Sequence, residues 1–316
     1  MNQILVILVA LLSFFGNSLK AQNIPFQDGE RFILVNGIKH WVKIKGGNNN
    51  TTPLIVVHGG PGGNHYSFER TIGPNLEAFA TVIYYEQRGS GRSEAPKDST
   101  DYTIPTLIND LYILRESLGL QKMNLLGYSF GAELSLRYAI EHPQSVEKLI
   151  LSSPAEWSKT NMLVQIQGFY AIGDNITKKK IDTILQQNTP IEEKLLKIWN
   201  TSNINQVDSF LFVNPANAKT NRQFWNESKL TNTGLMAKVY LENAKGDLIV
   251  KASGLQIPTL LICGIYDKNG GLHTGSSLKQ VLPQSILKLY ENSAHFPDIE
   301  EPNRFAADVK SFLFNE

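Results

Sequence analysis

Short apolar runs recur along this chain, separated by polar or helix-like stretches. Six runs are apolar almost throughout, without the regular alternation of apolar and polar residues that marks a half-exposed strand: residues 54–57, 81–85, 123–126, 148–151, 259–263 and 286–290. Continuous runs of this length are typical of strands that are covered on both faces of a parallel sheet. Two earlier runs, residues 32–35 and 38–44, meet at Asn36-Gly37, and this pair predicts a tight antiparallel hairpin.

Helical periodicity fills most of the intervals between these runs. The predicted helices span residues 104–118, ended by Gly119, residues 129–141, ended before Pro143, and residues 303–314 at the end of the chain. Strands that alternate with helices predict an α/β fold, in which the antiparallel hairpin leads a mostly parallel, doubly wound sheet.

One long segment, residues 154–254, breaks this rhythm. It contains no strong strand pattern and is rich in Asn, Thr, Gln and Lys, whereas residues 181–187 and 191–199 have helical patterns. We therefore predict a helical cap over residues 154–254, inserted between two strands of a core formed by residues 22–153 and 255–316.

The first 22 residues have the pattern of a secretory signal. An apolar block of 12 residues, 4–15, precedes a short stretch of small and polar residues. The block is too short to span a bilayer, so we predict a signal peptide over residues 1–21, cleaved after Ala21, and a periplasmic or secreted protein. Because no Lys or Arg precedes the block, an uncleaved N-terminal anchor is the alternative. No membrane span is predicted in the mature chain.

Composition and charge narrow the possible functions. The chain has 316 residues, 42% of them hydrophobic and 19% charged, which is typical of a globular protein with a large core. The net charge of +1 and the absence of a basic stripe argue against a nucleic-acid partner. The single cysteine, Cys263, cannot form an internal disulfide and is predicted to be a buried small residue. No metal-ligand cluster or dinucleotide fingerprint is present in the sequence, so we predict no cofactor.

A serine between two glycines follows the third buried run. Gly127-Tyr128-Ser129-Phe130-Gly131 joins residues 123–126 to the helical pattern of residues 129–141. A serine at such a junction is the nucleophile elbow, in which a strained turn lifts the hydroxyl out of the sheet and small residues avoid clashes. We predict that Ser129 is the nucleophile.

A serine nucleophile needs a base, and the base needs an acid to orient it. Asp267 directly follows the run at 259–263, and His295 follows the run at 286–290. Both therefore lie at the carboxyl ends of strands, where open α/β sheets place their active sites. The order Ser, Asp, His is the α/β-hydrolase order, and it predicts a triad of Ser129, Asp267 and His295.

A glycine-rich segment, His58-Gly-Gly-Pro-Gly-Gly63, follows the first buried run. Glycines let main-chain N–H groups approach a ligand closely. We predict an oxyanion hole formed by the N–H groups of Gly60 and Phe130, with His58 as a structural residue of the loop. A phosphate-binding loop is disfavoured because no Gly-Lys-Ser/Thr follows.

Three segments together resemble the proline iminopeptidases of the α/β-hydrolase superfamily: the segment at residues 58–63, Gln-Arg-Gly-Ser-Gly-Arg-Ser at residues 87–93, and the elbow. The resemblance implies an α/β-hydrolase fold and an aminopeptidase that releases N-terminal proline or another small residue through an acyl-enzyme. Members of that family hold the substrate's free amine with cap glutamates. Glu242 is the candidate for this substrate-binding role here, and Glu227 is a second one.

Two other functions remain open at this stage. A carboxylesterase or lipase would use the same triad, with a small ester in place of a peptide as substrate. The other is a secreted binding module that has kept the fold but is catalytically inactive. Dehalogenase or epoxide-hydrolase chemistry is disfavoured, because it needs a carboxylate nucleophile where this chain has Ser129.

Overall fold

The computed structural model describes residues 26–156, 158–230 and 248–316. The predicted signal peptide, residues 1–21, and Glu242 lie outside these ranges. In the described part of the chain, no helix is long and apolar enough to cross a membrane.

An eight-stranded sheet forms the centre of the molecule, with the strands in the order β1-β2-β4-β3-β5-β6-β7-β8. The strands are β1 (Gly29–Val35), β2 (Ile38–Lys45), β3 (Leu54–Val57), β4 (Val82–Tyr85), β5 (Met123–Tyr128), β6 (Val146–Ser152), β7 (Thr259–Gly264) and β8 (Ser285–Tyr290). The pairs β1–β2 and β2–β4 are antiparallel and all other pairs are parallel. The predicted mostly parallel sheet with an N-terminal hairpin is confirmed.

The hairpin turns at the predicted pair. Asn36 has a φ of 48° and Gly37 a φ of 76°. Positive φ at both central residues is the geometry of a tight hairpin turn whose twist matches that of the strands, and Asn and Gly tolerate it best.

Helices cover both faces of the sheet. They are α1 (Tyr66–Thr71), α2 (Gly73–Glu77), α3 (Ile104–Ser117), α4 (Phe130–Glu141), α5 (Lys159–Ile172), α6 (Asn175–Leu185), α7 (Ile191–Thr201), α8 (Ile204–Leu211), α9 (Pro215–Ser228), α10 (Leu248–Ala252), α11 (Gly271–Val281), α12 (Pro297–Glu300) and α13 (Pro302–Phe314). One core cluster packs α3, α4, α10 and α11 against the sheet. A second cluster, on the other face, includes α1, α2 and α13.

The helices α5 to α9 lie between β6 and β7 and form the inserted cap. The first four, α5 to α8, pack around a separate apolar cluster, in which Phe169 stacks on Phe210 at a ring distance of 4.1 Å. The predicted helices at 181–187 and 191–199 correspond to parts of α6 and α7. Residues 248–252 lie within the predicted cap, but they form α10 and pack in the core cluster. The bounds of the cap at residues 154 and 254 otherwise stay a prediction, because residues 231–247 are outside the described ranges.

The topology brings four chain segments to one edge of the sheet. The glycine loop follows β3, Ser129 follows β5, Asp267 follows β7 and His295 follows β8. Since these four strands are parallel, their carboxyl ends meet at the edge that the cap covers.

Candidate active site

Ser129 occupies a strained turn between β5 and α4. Its φ of 55° and ψ of −124° lie in a region that residues with a side chain rarely adopt. The turn is held in place because the Ser129 N–H donates to the Ser152 carbonyl at 2.9 Å. Two flanking glycines make it possible: a Cβ on Gly131 would collide with the Val57 carbonyl, and one on Gly127 with the Gly131 carbonyl.

Ser129, His295 and Asp267 form one hydrogen-bonded chain. The Ser129 Oγ lies 2.9 Å from the His295 Nε2. The His295 Nδ1 lies 3.0 Å from Oδ2 and 3.1 Å from Oδ1 of Asp267. A carboxylate only accepts hydrogen bonds, so Nδ1 carries the proton and Nε2 is left as the acceptor for the serine hydroxyl. This is the arrangement that a general base requires.

Asn269 is a residue of this site that the sequence reasoning missed. Its backbone N–H donates to Asp267 at 2.8 Å, and its side-chain Nδ2 lies 3.2 Å from the His295 Nε2. It therefore contacts both the acid and the base of the triad. Its place two residues after the predicted acid was the one signal that pointed to it.

The glycine loop lies beside Ser129. Gly59 and Gly60 line the same cavity as the serine, and a Cβ on Gly59 would approach the Ser129 Cβ to 3.1 Å. Gly60 has a φ of 131°, which side chains rarely allow, and Phe130 is the first residue of α4. The amide groups of Gly60 and Phe130 thus belong to the two segments next to Ser129, and their role as oxyanion donors stays a prediction.

His58 has bonds that suit a structural role. The backbone N–H of Gln87 donates to its Nε2 at 3.0 Å, so its Nδ1 carries the proton that is donated to the Gly59 carbonyl at 2.8 Å. Burial lowers the pKa of His58 to about 4. The imidazole is therefore neutral at pH 7, and both of its nitrogens are used in holding the loop.

A buried ion pair anchors the second glycine-rich segment, residues 87–93. The Arg88 guanidinium donates from Nε and Nη2 to the two carboxylate oxygens of Asp110 on α3, each at 2.6 Å. The same carboxylate accepts from Asn36 at 2.8 Å and lies 3.5 Å from His40. Burial opposes the charge, but the nearby His40 imidazole and the hydrogen bonds from Arg88 hold the pKa of Asp110 below its usual value.

The triad opens into a cavity of about 270 Å³ between core and cap. The core side includes Tyr128, Phe296 and Asp298, and the cap side consists of Trp199 on α7, Leu211 on α8, and Asn221 and Trp225 on α9. Sequence reasoning had assigned none of these residues to the site. Tyr128 and Phe296 are chain neighbours of Ser129 and His295, whereas the convergence of the four cap residues depends on how the cap packs, for which no local motif exists.

Of the two predicted cap glutamates, Glu227 is described by the structure, and it does not line this cavity. Glu227 is exposed and accepts a hydrogen bond from Gln223 at 2.7 Å. Asn221 and Trp225 are four residues apart on the cavity face of α9, so Glu227, two residues further along, points to another face of the helix. Glu242 lies outside the described residues, and its role stays a prediction.

Comparisons with known proteins place this site in context. A sequence profile described as "alpha/beta hydrolase fold" matches residues 52–302. A proline iminopeptidase from Heyndrickxia coagulans is 27% identical over 278 residues, which cover 84% of this chain and 92% of the relative. One from Saccharolobus solfataricus is 25% identical over 318 residues, covering 96% and 97%. The crystal structure of a proline iminopeptidase-related protein from Thermus thermophilus has a TM-score of 0.75, with 23% identity, and covers 91% of this chain and 97% of its own. That structural likeness shows the fold.

Proposed function

The chain belongs to the α/β-hydrolase fold family, and we propose that it is a serine aminopeptidase that releases N-terminal proline or another small residue from peptides. The observation that supports this proposal most directly is the hydrogen-bonded series from Ser129 through His295 to Asp267, at the mouth of a cavity with cap residues on one side. The full-length similarity to proteins named proline iminopeptidase supports the choice of substrate.

The proposed reaction begins when the Ser129 Oγ attacks the carbonyl carbon of the scissile bond. The hydroxyl proton moves to the Nε2 of His295, while Asp267 holds the imidazole in the required tautomer. The negative charge that develops on the carbonyl oxygen is stabilised by the N–H groups of Gly60 and Phe130.

The tetrahedral intermediate then collapses, the C–N bond breaks, and His295 returns its proton to the leaving amine. This leaves an ester between the substrate's acyl group and Ser129. A water molecule, deprotonated by His295, attacks that ester; the bond to the Ser129 Oγ then breaks, His295 returns the proton to this oxygen, and the amino acid is released.

A substrate panel tests the choice of an aminopeptidase. We expect the protein to cleave an L-proline arylamide with a free amine, and to cleave N-acetyl-L-proline arylamide at least tenfold less efficiently. Hydrolysis of nitrophenyl esters without cleavage of any aminoacyl arylamide would contradict the proposal.

Such a result would favour the second candidate, a carboxylesterase. The aromatic walls contributed by Trp199, Trp225 and Phe296 are compatible with this candidate, because they would suit an apolar acyl group as well as a pyrrolidine ring. The Glu242→Gln variant separates the two functions further: it weakens arylamide cleavage if Glu242 binds the substrate amine and leaves ester cleavage unchanged.

We also propose that the protein is exported and cleaved after Ala21. The mass of the protein recovered from a periplasmic or culture fraction tests this. An intact chain that starts at Met1 and stays with the membrane would indicate the uncleaved anchor.

A further inference from the structure

A second carboxylate lines the same cavity as the nucleophile. Asp298, on the short helix α12, lines the cavity together with Ser129 and His295, and 3% of its surface is exposed. It is three residues beyond His295 in the chain, and the triad does not use it.

Asp298 differs from the other carboxylates of its segment in having no partner of opposite charge in the described structure. Glu300 accepts hydrogen bonds from the backbone N–H groups of Val213, Asn214 and Ala294. Glu301 accepts from Asn292 and Ser293 and pairs with Arg304. For Asp298, its own backbone N–H is the hydrogen-bond donor found among the described residues.

The charged groups around Asp298 do not neutralise it. In the described part of the chain, neither Lys nor Arg lines the cavity. The nearby titratable groups are His295, whose Nδ1 proton is already shared with Asp267, Glu300, whose charge repels that of Asp298, and Tyr128, whose hydroxyl donates to the Asn64 carbonyl. Burial accordingly raises the pKa of Asp298 to about 7.

Burying a carboxylate without a positive partner costs free energy, unless a ligand supplies the positive charge. We propose that Asp298 binds the α-ammonium group of the substrate's N-terminal residue. This inference rests on the proposed aminopeptidase function and names a residue in the described structure that selects a free N-terminus.

The chemistry of an aminoacyl substrate agrees with this placement. Its α-ammonium is two covalent bonds from the carbonyl carbon that Ser129 attacks, so a group that pairs with it must line the same cavity as the serine. Asp298 meets this requirement, whereas Glu227 on the outer face of α9 does not. The hydrogen bond between an ammonium and a carboxylate is among the stronger ones, and a desolvated cavity strengthens it further.

Binding of L-prolinamide tests the inference without any turnover. We would measure the Kd by calorimetry between pH 5 and pH 8 in the Ser129→Ala variant, which cannot form the acyl-enzyme. Below pH 7 the Kd should rise about tenfold for each unit by which the pH falls, because Asp298 takes up a proton and loses its charge. Adding Asp298→Asn should weaken binding at pH 8 at least tenfold and remove the pH dependence.

Two controls distinguish charge recognition from a structural role. Adding Asp182→Asn instead, which removes an exposed carboxylate on α6, should leave the Kd unchanged. In the chain that retains Ser129, the Asp298→Asn variant should still be labelled on Ser129 by a fluorophosphonate probe, which shows that the elbow and triad are intact.

Three results would overturn the inference. The first is an unchanged Kd after Asp298→Asn, and the second is the absence of measurable prolinamide binding to the Ser129→Ala variant. The third is a loss of fluorophosphonate labelling in Asp298→Asn that is as large as the loss of prolinamide affinity. The failure of the aminopeptidase proposal itself looks different. In that case the wild-type protein does not cleave proline arylamide, while prolinamide still binds in a way that depends on Asp298.

Discussion

At the scale of residues, the chemistry of the cavity depends on how two buried carboxylates are solvated. Asp267 accepts hydrogen bonds from His295 and from the backbone N–H of Asn269. Asp298 has neither a cation nor the N–H of a second residue beside it in the described structure. Two acids in one site can have separate roles when their environments differ in this way. We infer that Asp267 orients the base and that Asp298 binds the ammonium group of the substrate.

The role of Asp267 leads to a prediction for Asp267→Asn. An amide can donate to the Nδ1 of His295, which stabilises the tautomer with its proton on Nε2, and that tautomer cannot accept the Ser129 proton. We expect kcat to fall by about 10⁴ with a nearly unchanged melting temperature. Steady-state kinetics and a thermal melt check this, and a loss of less than tenfold in kcat would contradict it.

The environment of Asp298 predicts how stability depends on pH. Its pKa is about 7 in the folded protein and 3.8 in an unfolded chain. Between these values the folded state binds more protons, so stability falls as the pH rises from about 4 to about 7 and stays reduced above that. The full loss is at most about 4 kcal/mol.

Asp298→Asn removes this loss. We expect the variant to melt at least about 2 °C above the wild type at pH 8, and the difference to disappear near pH 4. Scanning calorimetry at the two pH values measures it. A variant that is less stable than the wild type at pH 8 would contradict the account.

At the scale of elements, the core strands and the nucleophile elbow were predictable because their signals are local. A continuous apolar run such as residues 54–57 identifies a buried strand by itself, and β3 has these bounds. The cap helices α5, α8 and α9 were not predicted. The first has apolar residues all around and α9 is mostly polar, so neither has the periodicity of one buried face.

The pair of Arg88 and Asp110 joins the segment after β4 to helix α3. A double-mutant cycle measures how much this pair contributes to the free energy of unfolding. Removing either partner leaves the other charge buried, so we expect Arg88→Met or Asp110→Ala to lower the free energy of unfolding by about 3–5 kcal/mol. The double variant should be more stable than the sum of both losses implies, by at least about 1 kcal/mol.

An exposed pair on α7 is the matched control. Glu193 and Lys197 form an ion pair at 2.6 Å with both side chains well exposed to solvent. Glu193→Ala should change the free energy of unfolding by less than about 0.5 kcal/mol in the same urea titration. Strict additivity of the Arg88 and Asp110 losses would show that the two residues do not stabilise the fold as a pair.

At the scale of the whole molecule, the core supplies the chemistry and the cap completes the cavity. Ser67 on α1 donates to the Asn221 side chain on α9 at 2.6 Å, which links the two parts beside the catalytic residues. The triad could be predicted from the sequence because each member follows its own strand. The cavity walls could not, since Trp199, Trp225 and Asp298 meet only after the cap has packed on the core.

The cap's contribution leads to a prediction for Trp225→Ala. Loss of this wall should raise KM for proline arylamide about tenfold or more and leave the rate of fluorophosphonate labelling within about threefold of the wild type, because the triad lies in the core. Phe224→Ala, which removes a half-buried aromatic residue outside the cavity, is the control and should leave KM unchanged. An equal effect of both substitutions on KM would contradict this division of roles.

Covalent labelling shows whether Ser129 is the nucleophile of an aminopeptidase. The wild-type protein is treated with a fluorophosphonate, the modified residue is mapped by peptide mass spectrometry, and proline arylamidase activity is followed in parallel. We expect one adduct per chain, on Ser129, with activity lost in proportion to labelling, and neither adduct nor activity in Ser129→Ala. An adduct on another residue, or activity that persists in Ser129→Ala, would contradict it.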